Sequence, residues 1–147
     1  MKKILLYCFS IALVIFVCSG FISQSPKYKV GDKAYGGIIA WITEDGKHGL
    51  ICADFDLEKS NWEDAKKKCS ELEVGGKDDW YLPSEGELHI LHENLHKEGF
   101  GSFVAEIEYW SSREYKTTDA FLFNFSYGYA YNKGKNINHS ARAVRAF

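Results

Sequence analysis

The stretch Gly76-Lys77-Asp78-Asp79-Trp80-Tyr81-Leu82-Pro83-Ser84-Glu85-Gly86-Glu87-Leu88 decides the fold. Trp80-Tyr81-Leu82 reads as a short extended piece that Pro83 stops. Ser84 and Glu87 are spaced as a capping box, each side chain able to satisfy the other's backbone N–H. Glu85 and Glu87 put acid in the first turn, where the helix dipole favours it. Leu88, Leu91 and Leu95 then recur at helical spacing, which predicts an amphipathic helix.

Working backwards, Ser60-Asn61-Trp62-Glu63 reads as another capping box, with Trp62, Ala65, Cys69 and Leu72 on one face of a first helix. Gly75-Gly76 ends it. Before that, Tyr35–Ile42 and Gly49–Ala53 are strands around the turn residues Glu44-Asp45-Gly46-Lys47, a predicted hairpin. Working forwards, Glu108–Ser112 is a strand, and Phe121, Phe123 and Phe125 alternate with Ala120, Leu122 and Asn124 at the period of another. Tyr127, Tyr129 and Tyr131 continue that alternation past a break at Gly128. Asn132–Lys135 makes a turn, and residues 141–147 form the last strand. Strands, two helices and more strands make one α+β domain with a mainly antiparallel sheet.

Residues 1–20 stand apart. Lys2-Lys3 precedes the apolar run Ile4–Val17 and the small residues Ser19-Gly20, the layout of an export signal or N-terminal anchor. Cys18 offers a lipidation alternative. Residues 21–29 read as a tether and 30–147 as the domain, with the protein exported to the periplasm, cell surface or medium. The membrane is then met only through the N-terminal segment or a lipid on Cys18.

The whole chain has 18 Lys plus Arg against 20 Asp plus Glu, a net charge of −2. Losing residues 1–20 removes Lys2 and Lys3 and no acid, so 16 bases face 20 acids and the charge becomes −4. Nucleic acid is excluded as a partner on that balance. Of 4 cysteines, Cys52 and Cys69 would remain, and in an oxidising compartment an even pair reads as a disulfide. Closing that loop would contribute on the order of 3 kcal/mol.

Chemistry-bearing motifs are sparse. His92-Glu93-Asn94-Leu95-His96 matches the HExxH zinc-protease pattern, in which two histidines four apart bind zinc and the glutamate is the base. That setting wants a long helix and a third ligand, whereas this helix ends by about Gly99, and only His139 or Glu106 offers itself. Solvated helix histidines, His89 included, are the favoured reading. There is no GxSxG nucleophile and no phosphate loop, so no catalytic residue and no cofactor is assigned. Asn124-Phe125-Ser126 and Asn138-His139-Ser140 match glycosylation sequons by pattern alone.

The opening stretch resembles the DDWRLP-type signature of the C-terminal domain family of bacterial collagen-like adhesins. Gly36-Gly37 with Trp41, His48-Gly49-Leu50, Trp62 with Ala65 and Cys69, Tyr109-Trp110-Ser111-Ser112, and Val144-Arg145 follow in family order. The resemblance implies a C-type lectin-like domain akin to formylglycine-generating enzymes. In that frame Gly37, Trp41, Trp62, Asp79, Trp80, Pro83, Trp110 and Arg145 are structural positions. Two departures narrow it. Tyr81 stands where the family has Arg, and no EPN, QPD or WND triplet is present for calcium-dependent sugar binding. No cysteine follows Cys69, which excludes formylglycine-type oxidation.

The expected function is therefore a non-enzymatic binding module for a polysaccharide or other surface ligand. Asn124, Tyr127, Tyr129, Tyr131 and Asn132 are its candidate contacts, because aromatic rings stack on sugar faces and amides bond hydroxyls. An assembly domain for an envelope protein is the second reading, and a zinc hydrolase on His92 and His96 the third.

Overall fold

The computed structural model describes residues 27–104 and 106–147. The expected export segment, Cys18 and most of the tether lie outside them. Among the described residues no helix is long and apolar enough to cross a membrane.

The chain runs β1 (Lys33–Ala34), β2 (Gly37–Ile42), β3 (Gly49–Ala53), β4 (Leu57–Ser60), α1 (Trp62–Ser70), α2 (Glu85–Leu91), a π turn (His92–His96), β5 (Glu108–Lys116), β6 (Asp119–Asn124), β7 (Tyr129–Gly134), β8 (His139–Ala141) and β9 (Val144–Ala146). One sheet has the order β1-β2-β3-β9 and the other β4-β8-β5-β6-β7. All pairings are antiparallel except β5 with β8. The α+β class with two helices is thus the observed one.

The β2–β3 hairpin forms as the turn residues predict, with Ile38 opposite Cys52 and Ile39 opposite Ile51. Its strands approach so closely that a Cβ on Gly37 would lie 2.2 Å from the Cys52 carbonyl oxygen, which leaves room for glycine alone. The opening stretch also behaves as read. Tyr81 bridges to Val144 through a pair of 2.9 Å backbone bonds, and Ser84 and Glu87 close the capping box on α2. Asp79 takes Arg145 in a two-point pair of 2.6 and 2.9 Å, tying the stretch to β9.

The central strands are buried on both faces, so neighbouring residues belong to different cores. Ile39, Ile51, Ala53, Trp110 and Leu122 point into one core with Trp62, Ala65 and Cys69 of α1. Ile38, Ala40, Cys52, Tyr109 and Phe123 point into the other with Leu88 and Leu91 of α2 and Leu95 of the π turn. The indole N–H groups of Trp62 and Trp110 donate to the carbonyls of Ser111 and Ser60 at 2.7 and 2.9 Å, so two large side chains are buried with their polar atoms satisfied. Trp41 differs from the other tryptophans and is 44% exposed.

Several local expectations are corrected. Asn61, not Ser60, caps α1, accepting from the Asp64 amide, while Ser60 ends a strand that the sequence pattern did not reveal. Residues 125–128 are a turn, so β7 returns beside β6 instead of extending it. Asn132–Gly134 belongs to β7, and the turn comes after it. The final strand is two, β8 and β9, separated at Arg142-Ala143. There Arg142 is drawn inward, bonding Asp56 at 2.6 Å and lying 3.9 Å over the Phe103 ring.

The Cys52–Cys69 disulfide is also corrected. Both are buried free thiols. They sit in the two separate cores, on opposite sides of β3, which puts a bond between them out of reach. Burial pushes each thiol pKa up to about 12. Alkylation under native conditions is therefore expected to spare Cys52 and Cys69, and unfolding should expose both without any reductant. A Cys52–Cys69 linked peptide in a non-reducing digest would contradict this.

Candidate functional site

The hairpin of β6 and β7 presents the candidate residues. Its register sets Asn124 opposite Tyr129, Leu122 opposite Tyr131 and Phe121 opposite Asn132. Leu122 is fully buried in the tryptophan core and Phe123 in the opposite one, so the hairpin root is fixed from both sides. Its tip is wet. Tyr127 is 73% and Tyr129 54% exposed, whereas Tyr131 is half-buried.

Asn124 builds the tip turn. Its Oδ1 accepts from the amides of Ser126 and Tyr127 at 2.9 and 3.1 Å, and its carbonyl accepts from Gly128 N–H at 2.9 Å. Gly128 has a φ of +70°, the left-handed conformation that favours glycine. Phe125 turns inward and is 1% exposed, anchoring the turn among Phe103, Tyr109 and Phe123. Tyr127 and Tyr129 stack with centroids 5.9 Å apart and planes at 25°, and Tyr131 follows 6.1 Å from Tyr129. The result is a row of three phenols along one face.

A carboxylate that the sequence reading did not single out sits at the foot of this row. Glu108 accepts from the Tyr131 hydroxyl and, at 3.4 Å, from Asn124 Nδ2. His139 Nδ1 lies 3.4 Å from its other oxygen. Long-range register assembles this group, for Glu108 pairs with Asn124 across β5 and β6. Nothing local around Glu108 could have announced it. Lys133 lies two residues beyond Tyr131, its ammonium 5.7 Å from that ring. Asn132 alternates to the other face, so the structure brings Asn124 and the three tyrosines together and leaves Asn132 outside.

The candidate ligands His92, His96 and His139 fall into two places. His139 packs edge-on against Trp110 at 5.1 Å, and its Nε2 is enclosed with no partner. His92 and His96 lie on the π turn with rings 5.5 Å apart, walled by Phe123 and Phe125. His92, 6% exposed, and half-buried His96 are not the solvated helix histidines expected, whereas His89 on α2 is exposed as that reading has it. Glu93 is engaged by His92 Nδ1 at 2.9 Å and Lys97 at 2.8 Å, and these partners, Lys97 foremost, hold its carboxyl below the usual range. His139 stands in β8 against the tryptophan core and Glu106 is exposed, and neither joins the pair. Among the described residues no three His, Cys, Asp or Glu side chains gather into a group that would hold a metal.

Burial, with His92 nearby, holds His96 below the ordinary imidazole pKa. Burial likewise lowers His139, against the opposing pull of Glu108. The unfolded chain takes up these protons near pH ~6.5, before the folded one does. Stability contributed here is therefore complete above about pH 6.5 and falls as the pH drops below it. Thermal unfolding is expected at a lower temperature at pH 5 than at pH 7.5, with a smaller difference in the His96→Gln/His139→Gln variant. A transition that rises on acidification would contradict the assignment.

A model of the Lcl C-terminal domain family matches residues 39–145. Twelve chains of solved structures also match, among them botrocetin, at 12% identity and a TM-score of 0.45, over 72% of this chain and 95% of that one. No curated protein matches.

Proposed function

The chain belongs to the Lcl C-terminal domain family, and from that premise we propose that it is an exported, non-enzymatic binding module of C-type lectin-like type that takes a polysaccharide on its tyrosine hairpin. The observation that carries this reading is the exposure of Tyr127 and Tyr129 on a turn that is otherwise tightly built. Leaving two large rings in water contributes nothing to the core, while the Asn124 bonds hold them ready for contact. A sugar ring would stack on exposed Tyr127, with the hydroxyls of Tyr127 and Tyr129 as partners for its polar groups. Asn124 and Glu108 are occupied in holding the row, so we assign them to its construction, and Asn132 is not part of the surface. The adhesin setting that the sequence signature resembles, at the cell surface, suits a module of this kind.

One observation favours a protein partner as the second reading. β7 is the outer strand of its sheet, so one of its edges is available for pairing with another chain.

A printed glycan array separates the two. The wild-type protein is expected to give discrete hits, and Tyr129→Ala should weaken them roughly tenfold, as the loss of one stacking contact of ~1 kcal/mol or somewhat more implies. Silence of the wild-type protein across the array would favour the protein partner.

A further inference from the structure

The turn carrying the tyrosines is held from within its hairpin, by the Asn124 bonds and inward-packed Phe125, and also from outside it. The second support comes from the far end of α2. A Cβ on Gly128 would lie 2.8 Å from His92 Cε1 and 3.3 and 3.4 Å from the two ring nitrogens. One α-hydrogen of Gly128 therefore points at the imidazole, and no larger residue could sit there without displacing the ring.

His92 is itself firmly placed. Its Nδ1 meets Glu93 at 2.9 Å, and Glu93 is held in turn by Lys97. Its ring lies 5.8 and 5.6 Å from Phe123 and Phe125, which flank the turn on the hairpin side. An imidazole has a broad, two-fold preference about its last torsion, so packing alone would leave its orientation loose. The bond to Glu93 removes that freedom. The π turn matters as well. Such a turn inside a helix commonly marks a functional place, and this one begins at the residue that touches the hairpin tip.

We propose that His92 is the positioning residue of the ligand surface: its fixed ring is the floor on which the Gly128 turn rests, and it sets the placement of Tyr127 against Tyr129. The inference builds on the reading of those tyrosines as the binding surface. A tip pre-set in this way loses less freedom when a ligand arrives, which raises affinity without any direct contact from His92.

Proton NMR of the full chain, combined with the printed glycan array, tests the assignment. In the wild-type protein the ring current of His92 should displace one Gly128 α-proton from its ordinary position. His92→Gln keeps a polar side chain of similar size and can still bond Glu93, but it has no ring. It should return that proton to its ordinary position, weaken the contacts between the Tyr127 and Tyr129 rings, and lower array signal roughly tenfold. His92→Phe restores a flat ring without the Glu93 bond, so it should recover the displaced proton and the array signal in part; recovery no better than in His92→Gln would overturn the role of the ring. The indole N–H signals of Trp62 and Trp110, in the other core, should stay in place in both variants.

Unchanged Gly128 and tyrosine signals in His92→Gln would overturn the proposal. Indole signals that move together with them would do so too, since His92 would then act on the whole core. If His92→Phe does not fold, His92→Gln alone decides. Array silence from the wild-type protein would defeat the polysaccharide reading, and the NMR contrast would still rule on His92.

Discussion

Burial of the central strands on both faces is the constraint from which the rest of this structure follows. Each strand of β2, β3, β5 and β6 hands alternate side chains to two cores, one holding three tryptophans and α1, the other holding α2 and a cluster of phenylalanine and histidine rings. A strand buried on one face only would have shown polar residues at every second position. Here Ile38-Ile39-Ala40 and Leu50-Ile51-Cys52-Ala53 are apolar throughout because both sides need filling. The same constraint separates Cys52 from Cys69 and makes each an inert buried thiol.

Much of this was legible in sequence where the signal is local. The Ser84–Glu87 capping box, the Pro83 stop and the turn at Glu44–Lys47 each depend on residues a few positions apart, and each forms as read. What failed was whatever depends on partners distant in the chain. Tyr127–Tyr131 keeps its alternation whether the chain runs straight on or folds back, and the pairing of β6 with β7 decides for the fold-back where the local pattern showed only a break at Gly128. The disulfide reading failed for the same reason, since cysteine number and spacing say nothing about which face of a sheet a thiol occupies. Ser60 and Asn61 are both good helix caps, and the pairing of β4 with β8 takes Ser60 and leaves the cap to Asn61.

The candidate site was half legible. The tyrosine row is visible as a period-two pattern, and Asn124 as a polar neighbour. Glu108 and His139 are not, because register alone brings them to the row, and Lys133 was hidden by reading Asn132–Lys135 as a turn when Asn132–Gly134 continues β7. Nor could the HENLH string be interpreted from its letters. The structure engages its glutamate with His92 and Lys97 and packs its histidines against phenylalanine rings, turning a motif of metal chemistry into the wall of a core and the support of a loop. The exposed tyrosines and the buried aromatics are thus one continuous construction, rigid at its root and wet at its tip.

The central claim is that the tip tyrosines serve a ligand and not the fold. Thermal unfolding of a Tyr127→Ser/Tyr129→Ser variant, measured alone and with the glycan that the wild-type protein captures from an array, tests it most directly. The account expects an unfolding temperature within a degree or two of wild type, as for exposed substitutions changing stability by no more than ~0.5 kcal/mol, and no rise on adding the glycan that stabilises the wild-type protein. A markedly lower unfolding temperature, or a glycan-induced rise equal to that of wild type, would contradict it.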